Sequence, residues 1–560
     1  MNTVSAEQSW NLRRLFITGG GALLAIMAVG GLLDVIPSVP GLVLDPVPPG
    51  NDVIQALREM ARTLGVVMSM LVGLTGIAVP LTASVYTPKL IELFVADRVN
   101  RVVFGFYVLA NAFVLWNAYV VADGLDAAHA RTRAMACMAV TVVGLLMIVP
   151  YVLHVLRFLI PRSIVEGLAG EVLRGLRAAC RIPKDSPRMQ DLRAQVLDDI
   201  QYLGKIALRS LDRYDRDTAL EAIEALDGLF DAYAAKKQFL PGTWFRPTQH
   251  EIQSLGPELI REAHRQRAGV EVAILLEYSL VLPLAIGRLP EVVASIAAST
   301  RRFGVRATEA GDKGVQEQVT LFFNTFLRLA LQRRHADSFY KFVYQYRRFA
   351  EEIVERDPCH TLRVVFFLDY YGHQAVRSEM GYLINVVAYD LAELCILAWE
   401  KGVACKTDLL DAVIRLDRDQ VALMELPGVV KAQVILAARL LTRGDAEAAS
   451  RLEEELLKVK REKLEEAFGQ IVAATEENFW EIADRRRHLD HVEPRFRPAF
   501  EEMRERLLGK RLRGAMTQAF LRDAVPPEPT PTRPAQRLSR PPTGMRPAAE
   551  EAELPDVVGG

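Results

Sequence analysis

Few residues in this sequence have the types and spacing needed for chemistry. One cluster of imidazole and carboxylate groups, of the kind that ligates metal ions, lies in RRRHLDHVEP at His488, Asp490, His491 and Glu493. Three arginines, 485–487, stand beside it and would repel a cation, so we interpret the segment as a solvated, salt-bridged helix end. Cys359 and His360 are adjacent rather than facing each other, and no partner for them is identifiable.

The sequence motifs of larger catalytic and cofactor sites are missing. The chain contains no GxxxxGK[ST] phosphate loop, no HExxH zinc helix, no GxSxG nucleophile turn and no strand-linked GxGxxG. Its 5 cysteines are odd in number and lack CxxC spacing, which argues against a disulfide framework and against a zinc site. We therefore expect no catalytic residue, no metal site and no cofactor.

Hydrophobic and charged residues are distributed unevenly along the chain. Half of the 560 residues are hydrophobic, which is high for a chain with 24% charged residues, and most of the apolar excess lies before residue 165. The formal net charge is −1, whereas nucleic-acid binding requires a basic surface that displaces counterions from phosphates. The composition indicates a membrane protein and argues against a nucleic-acid partner.

Four apolar runs predict a transmembrane bundle over residues 15–164, after a short N-terminal segment, 1–14. Each run reaches the roughly 20 residues that cross a hydrocarbon core as a helix, and the spans are 15–36, 64–86, 102–122 and 134–160. The first run is longer than the apolar region of a signal peptide, so we read it as a span, with cleavage as the alternative. Lipid is thus an expected partner.

Basic residues in the connections predict the orientation of the spans. They are concentrated before the first span, between the second and third, and after the fourth, at positions such as Arg14, Lys89 and Arg162. The positive-inside rule then places both termini in the cytoplasm. Because arginine-rich, Ala-, Val- and Leu-rich composition is typical of GC-rich bacterial genomes, we expect a multi-pass protein of a bacterial inner membrane.

The remainder of the chain predicts a large helical domain and a disordered tail. Residues 165–522 carry apolar side chains at three- and four-residue spacing, but no fixed repeat period emerges, so an irregular bundle and a solenoid-like stack both remain open. The apolar segment 268–287 contains Glu271 and Glu277 and is better read as a buried core helix than as a span. Residues 523–560 are too rich in proline to form a core. The predicted fold class is therefore all-α.

Polar residues within and between the predicted spans are the candidate functional positions. Asn111 lies inside the third span with Tyr107 one turn before it, and the pair could line a polar pathway or form an interhelical hydrogen bond. Between the second and third spans, an amphipathic segment predicts an interfacial elbow helix, either structural or involved in gating, with its candidate residues at Pro88, Lys89, Phe94, Asp97 and Arg98.

Two segments carry a resemblance to a known family. The first is SVYTPKLIELFVADRVNRVVFGFYV, Ser84 to Val108, and the second is LGKIALRSLDRYDRDTALEAIEAL, Leu203 to Leu226. They resemble an uncharacterised family of bacterial predicted membrane proteins, domain-of-unknown-function family twenty-two fifty-four, over about residues 10–235. The second segment keeps Ile206, Ala207 and Arg209 but lacks the family's Pro-Gly-Asn-Asp turn. The resemblance implies a membrane topology and no activity.

Three classes of function follow from these observations. We favour a membrane-anchored interaction or scaffold protein, whose helical domain or proline-rich tail binds a protein partner. The alternative is a channel-like homo-oligomer gated by its cytosolic domain, with Asn111 and nearby hydroxyl side chains facing a shared pore. An enzyme is the least favoured class, because spacing suggests no nucleophile, metal site or acid–base pair.

Overall fold

The all-α fold class predicted from the sequence is confirmed. The computed structural model describes residues 51–123, 127–183, 186–246, 263–416, 427–477, 485 and 488–508; these ranges contain helices and no β-strand. The predicted first span, 15–36, and the predicted tail, 523–560, lie outside the described residues. The chain divides into two units, Met1–Leu507 and Leu508–Gly560, and all contacts given below lie within the first.

The N-terminal part of the described chain is a group of long apolar helices joined by a short one. Helices α1, α3 and α4 pack against one another in pairs, around buried residues such as Leu64, Tyr107 and Val155. Each contains a segment long and apolar enough to cross a membrane: Asp52–Val85, Arg98–Ala122 and Thr132–Phe158. The helices are α1 (Asn51–Val85), α2 (Lys89–Ala96), α3 (Arg98–Ala122) and α4 (Ala127–Phe158).

Helix α1 begins 13 residues earlier than the span predicted at 64–86. Its first turns are amphipathic: Val53, Leu57 and Ala61 recur at four-residue spacing and are buried, while Arg58 and Arg62 are exposed. At 1.5 Å per residue the 35-residue helix is about 50 Å long, more than the roughly 30 Å of a hydrocarbon core. Arg58 and Arg62, which precede the span predicted at 64–86, therefore lie inside the same helix as that span.

The helical body follows without an intervening strand. Its helices are α5 (Pro161–Ala179), α6 (Arg188–Asp212), α7 (Arg216–Lys237), α8 (Gly269–Ala285), α9 (Pro290–Glu309), α10 (Lys313–Gln332), α11 (Ala336–Ile353), α12 (Pro358–Arg377), α13 (Tyr382–Lys401), α14 (Lys406–Arg415), α15 (Pro427–Thr442), α16 (Ala446–Leu456), α17 (Arg461–Ala473) and α18 (Arg497–Leu508). Short 3₁₀ turns occur at Gly242–Phe245 and Pro494–Phe496.

The helices of the body form two layers. Helices α5, α7, α9, α11, α13 and α15 each pack against the next odd-numbered helix, and α6, α8, α10, α12, α14 and α16 do the same in the second layer. Sequential helices such as α6 and α7 also pack against each other and connect the layers. This ladder of neighbours is the arrangement of a solenoid, which was one of the two alternatives that the sequence left open.

A recurring turn connects helices that follow each other in the chain. One residue adopts the left-handed conformation, and the next residue donates its backbone N–H to a carbonyl five residues before it, as in a Schellman motif. The same residue then caps the following helix with its side chain, so that one position ends one helix and begins another. The four cases are Tyr214–Asp215, Gly311–Asp312, Arg334–His335 and Gly444–Asp445.

Helix α13 is also apolar and long enough to cross a membrane. It packs against α11, α12 and α15, and 72% of its most apolar window is buried inside the body. Helix α8, which covers the segment predicted as a core helix, buries Glu271, and its carboxylate lies 2.7 Å from Lys237 Nζ. Both helices belong to the interior of the two-layer stack.

An aromatic stack in this interior provides a test of the packing. The rings of Phe230 and Phe303 lie 3.6 Å apart between α7 and α9, and both side chains are buried. We expect Phe303→Ala to lower the free energy of unfolding by about 3–5 kcal/mol, because it removes the stacked ring and leaves a cavity. Phe366→Ala is the matched control, since that ring is 62% exposed. Thermal unfolding in detergent measures both, and equal midpoints for the two variants would contradict the packing.

Candidate functional site

A polar face of α6 meets the helices of the membrane part. Asp199, Tyr202, Lys205 and Arg209 are spaced three, three and four residues apart, so they lie on one side of the helix. We call these four residues the junction face. Opposite them lie the end of α1 and the start of α2, so the junction face is one place where the body contacts the membrane part.

Arg209 completes the hydrogen bonding at the end of α1. Pro88 has no backbone N–H, so the carbonyl of Ser84 lacks the donor that a continuing helix would provide four residues later. The Nη1 atom of Arg209 lies 3.2 Å from the Ser84 carbonyl oxygen and 3.1 Å from that of Tyr86. A guanidinium is also favourable at the negative end of a helix dipole. Arg209 therefore caps α1 from a position far along the chain.

Lys89 and Asp199 form the second contact of the junction face. Their Nζ and Oδ1 atoms are 3.8 Å apart, and the Asp199 side chain is 1% exposed. Burial raises the pKa of Asp199 to about 7, although Lys89 opposes this shift and the acidic groups of Glu171, Asp198 and Glu92 add to it. Lys89 also pairs with Glu92 at 2.6 Å, so one ammonium serves two carboxylates.

Tyr202 lies between the two lysines of this region. The Nζ atom of Lys205 is 4.9 Å from the centre of the Tyr202 ring, and that of Lys89 is 6.0 Å from it. Both distances are within the range of a cation–π interaction. The ring thus adds an attractive contact between α2 and α6 where two ammonium groups would otherwise repel each other.

Behind the junction face, α8 places a second buried carboxylate against α6. Glu277 packs so closely on Gly204 that a Cβ atom at Gly204 would overlap its carboxylate. No ion pair of Glu277 is present in the described part of the chain, and burial raises its pKa to about 7, with Lys205 opposing the shift. The Glu277 carboxyl therefore keeps its proton to a higher pH than an exposed glutamate does.

The elbow predicted between two spans is helix α2, preceded directly by Pro88. Phe94 is buried and its ring meets that of Phe158 at 5.5 Å, edge to face, which ties the elbow to α4. Asp97 accepts a hydrogen bond from the backbone N–H of Asn100 at the start of α3 and lies 3.1 Å from His154 Nε2. Arg98 is exposed. Three helices of the membrane part therefore meet at the elbow.

The polar pair inside the bundle, Tyr107 and Asn111, is turned towards the other helices. The Tyr107 hydroxyl donates to the Gly144 carbonyl of α4 at 2.6 Å, while the Asn111 amide donates to the Tyr107 carbonyl of its own helix at 2.9 Å. The same amide nitrogen lies 4.0 Å from the sulfur of Met68 in α1. The strong interhelical bond of this pair is therefore made by the tyrosine.

Sequence reasoning missed an ionisable group inside the bundle. Arg133 precedes the span predicted at 134–160, yet its side chain is buried in α4 and donates to the Asn117 side-chain carbonyl of α3 at 3.0 Å. The three junction-face residues before Arg209 were also not singled out. A stripe of polar residues at helical spacing could have indicated the junction face, whereas no residue near Arg133 in the sequence indicated its partner, Asn117.

The histidine segment near the end of the body has a structural arrangement. Residues 488–493 form a turn and extended backbone rather than the predicted helix end. Asp490 accepts hydrogen bonds from the Tyr389 hydroxyl and, at 2.6 Å, from Lys431 Nζ. Within the described ranges, no group of three or more His, Cys, Asp or Glu side chains is placed to hold a metal ion.

Comparison with known proteins agrees with this membrane part. Residues 8–202 match the family model of predicted membrane protein DUF2254. The family resemblance read from Ser84–Val108 is thereby confirmed, and the matched DUF2254 region includes the elbow and Asp199 of the junction face. The chain is a predicted membrane protein with candidate transmembrane helices and a helical body.

Other comparisons add little. No curated protein matches the chain. A solved structure described as a circular tandem repeat protein with novel repeat topology and enhanced subunit contact surfaces is 16% identical, with a TM-score of 0.30, and the alignment covers 84% of this chain and 99% of that one. At that score the similarity supports no inference.

Removing the cap of α1 should loosen the junction. We expect Arg209→Gln to speed amide hydrogen exchange at residues 86–96 by about 5- to 30-fold, because two carbonyls lose a charged donor worth about 1–2 kcal/mol. Arg188→Gln, which changes an exposed arginine at the start of the same helix, is the control. Unchanged exchange in Arg209→Gln would show that the cap does not hold the elbow.

The two raised carboxyl pKa values predict a pH dependence of stability. The folded protein holds protons on Asp199 and Glu277 up to about pH 7, whereas the unfolded chain releases them near pH 4, so stability falls as pH rises between those values. We expect Glu277→Gln to be close to the natural protein in stability at pH 4 and to exceed it at pH 8 by about 1–3 kcal/mol. Unfolding midpoints at both pH values measure this, with exposed Glu462→Gln as the control.

Proposed function

We propose that this protein is a membrane-anchored scaffold whose helical body binds a partner protein. The observation that carries the proposal is an exposed aromatic surface on the second layer of the body, formed by α10 and α12. Phe366 is 62% exposed, Tyr370 is 45% exposed and Leu321 is 43% exposed. Aromatic side chains contribute much of the binding energy at protein interfaces and are expensive to leave in water.

These residues form one continuous surface. The ion pair of Glu317 and Arg363, at 3.2 Å, joins α10 to α12; Leu321 lies one turn after Glu317, and Phe366 lies one turn after Arg363. The two apolar side chains are therefore neighbours on the two helices. Tyr370 follows one turn after Phe366 and extends the surface along α12.

A groove continues from this surface and indicates the chemistry of the partner. It has a volume of about 470 Å³ and is lined by aromatic rings and by polar side chains, including Tyr370, Tyr371, Arg328, Gln332 and Gln374. Rings pack against proline or aliphatic side chains, while hydroxyl, amide and guanidinium groups donate to backbone carbonyls. An extended, proline-containing segment of a partner protein fits both properties.

The alternative is a channel-like oligomer that conducts through its spans. What favours the scaffold over the channel is the direction of the polar groups of α3: Tyr107 bonds to α4, Asn111 to its own helix, and Asn117 to Arg133. Side chains satisfied within one subunit are not available to line a pore shared between copies. We keep the inner bacterial membrane and cytoplasmic termini as part of the proposal.

Photo-crosslinking in intact cells tests the scaffold. A photoreactive amino acid at position 366 or 370 should capture the same partner, whereas one at Tyr214, a 66% exposed aromatic in the turn between α6 and α7, should not. With that partner purified, Phe366→Ala should weaken binding to the full-length protein at least tenfold, and Tyr214→Ala should leave it unchanged.

Two results would contradict this proposal. One is identical crosslinking from positions 214 and 366, which would mean that capture does not depend on the aromatic surface. The other is ion flux through liposomes that contain the purified protein, lost in Asn111→Leu at unchanged insertion, which would favour the channel.

A further inference from the structure

We propose that Arg98, Arg101 and Arg157 form a binding site for the headgroups of anionic phospholipids at the membrane surface. The site depends on the membrane location of the chain and not on the partner-binding groove. Three observations carry the proposal: the arginines lie at one level of the bundle, each ends an exposed apolar stripe, and their guanidinium groups retain donors for phosphate.

Contacts between helices place the three arginines at one level of the bundle. Arg98 follows Asp97, whose Oδ2 atom lies 3.1 Å from His154 Nε2 of α4. Arg157 lies one turn after that histidine, and the adjacent Phe158 packs on Phe94. The start of α3 and the end of α4 are therefore at the same level. Arg101 is on the next turn of α3.

Each arginine stands where an exposed apolar surface ends. On α3, Val102 is 66% exposed, and the exposed stripe continues through Val108 and Leu115. On α4, Leu146, Val149 and Leu156 are 71%, 66% and 56% exposed before the helix reaches Arg157. Large apolar side chains that no protein atoms cover are suited to hydrocarbon, so the arginines mark the level of the headgroups.

The short helix α2 extends the same surface sideways. Ile91 and Val95 are exposed on it, and Val99 follows at the start of α3, so apolar side chains flank the basic ones. An amphipathic segment of this kind lies in the interface with its apolar side chains in the acyl boundary. The arginines beside it would then face the phosphate layer.

The charge of the cluster is suited to anionic lipid. Among the described residues, neither Arg98 nor Arg157 has an ion-pair or hydrogen-bond partner, whereas one nitrogen of Arg101 donates to the Ala96 carbonyl at 3.1 Å. The neighbouring carboxylate, Asp97, is already engaged with His154 and the start of α3. A guanidinium binds phosphate through two parallel hydrogen bonds. Its positive charge favours headgroups with a net negative charge over zwitterionic ones, in which an ammonium group offsets the phosphate.

Lipid selectivity of the full-length protein tests the site. The protein is reconstituted into mixed bilayers, and spin-labelled phosphatidylglycerol and phosphatidylcholine are compared for the fraction that the protein immobilises. We expect the natural protein to prefer phosphatidylglycerol about twofold or more, and Arg98→Gln/Arg157→Gln to lose most of that preference. The variant Arg98→Lys/Arg157→Lys should retain it, and Arg334→Gln, a change in the body, should not alter it.

Further measurements distinguish a lipid headgroup from free phosphate as the ligand and control for misfolding of the variants. Because the contact is electrostatic, about 0.5 M NaCl should reduce the preference. Loss of the preference in about 10 mM inorganic phosphate at constant ionic strength would overturn the proposal in favour of a free-anion site. Equal immobilisation of both lipids by the natural protein, or an unchanged preference in a Gln variant with a normal unfolding midpoint, would also overturn it.

Discussion

The unsatisfied carbonyl of Ser84 is the constraint around which the membrane part and the body are joined. Pro88 ends α1 by withholding the backbone N–H that the Ser84 carbonyl would otherwise accept. The chain provides Arg209 from α6 instead, which fixes the distance between that helix and the end of α1. Once α6 is held there, Asp199 reaches Lys89.

Helix α5, which also packs against α4, begins one layer of the body, and α6 begins the other. Helix α8 packs against it with Glu277 over Gly204, and α10 continues the layer. In a solenoid each helix contacts only its near neighbours, so the position of one helix determines where the next helices pack. A change at the elbow therefore has a direct physical route to the aromatic surface on α10 and α12 through consecutive packed helices.

Sequence patterns were informative where the physical cause is local. Apolar runs predicted the described spans, because a helix in lipid needs a long run of apolar side chains. Pro88 predicted the break before α2. The solenoid was harder to predict from the sequence, because its turns share one backbone geometry but differ in sequence. Gly444 adopts the left-handed conformation without strain, whereas Tyr214 adopts it at a φ of 58°. A search for a glycine-based repeat finds only half of the four turns. The capping residue after each, such as Asp215 or Asp445, was the more constant signal.

Partners distant in the chain were beyond sequence reasoning, and the buried carboxylates show why they matter. Glu277 has no ion pair in the described part of the chain, so its burial costs stability at any pH above that at which the unfolded chain ionises, near pH 4. Asp199 has Lys89 nearby, yet at 3.8 Å and beside three other acidic groups that attraction does not outweigh desolvation. Both groups touch the same helix, α6. The junction is therefore built from contacts that individually stabilise weakly, and the Arg209 cap and apolar packing must hold it together.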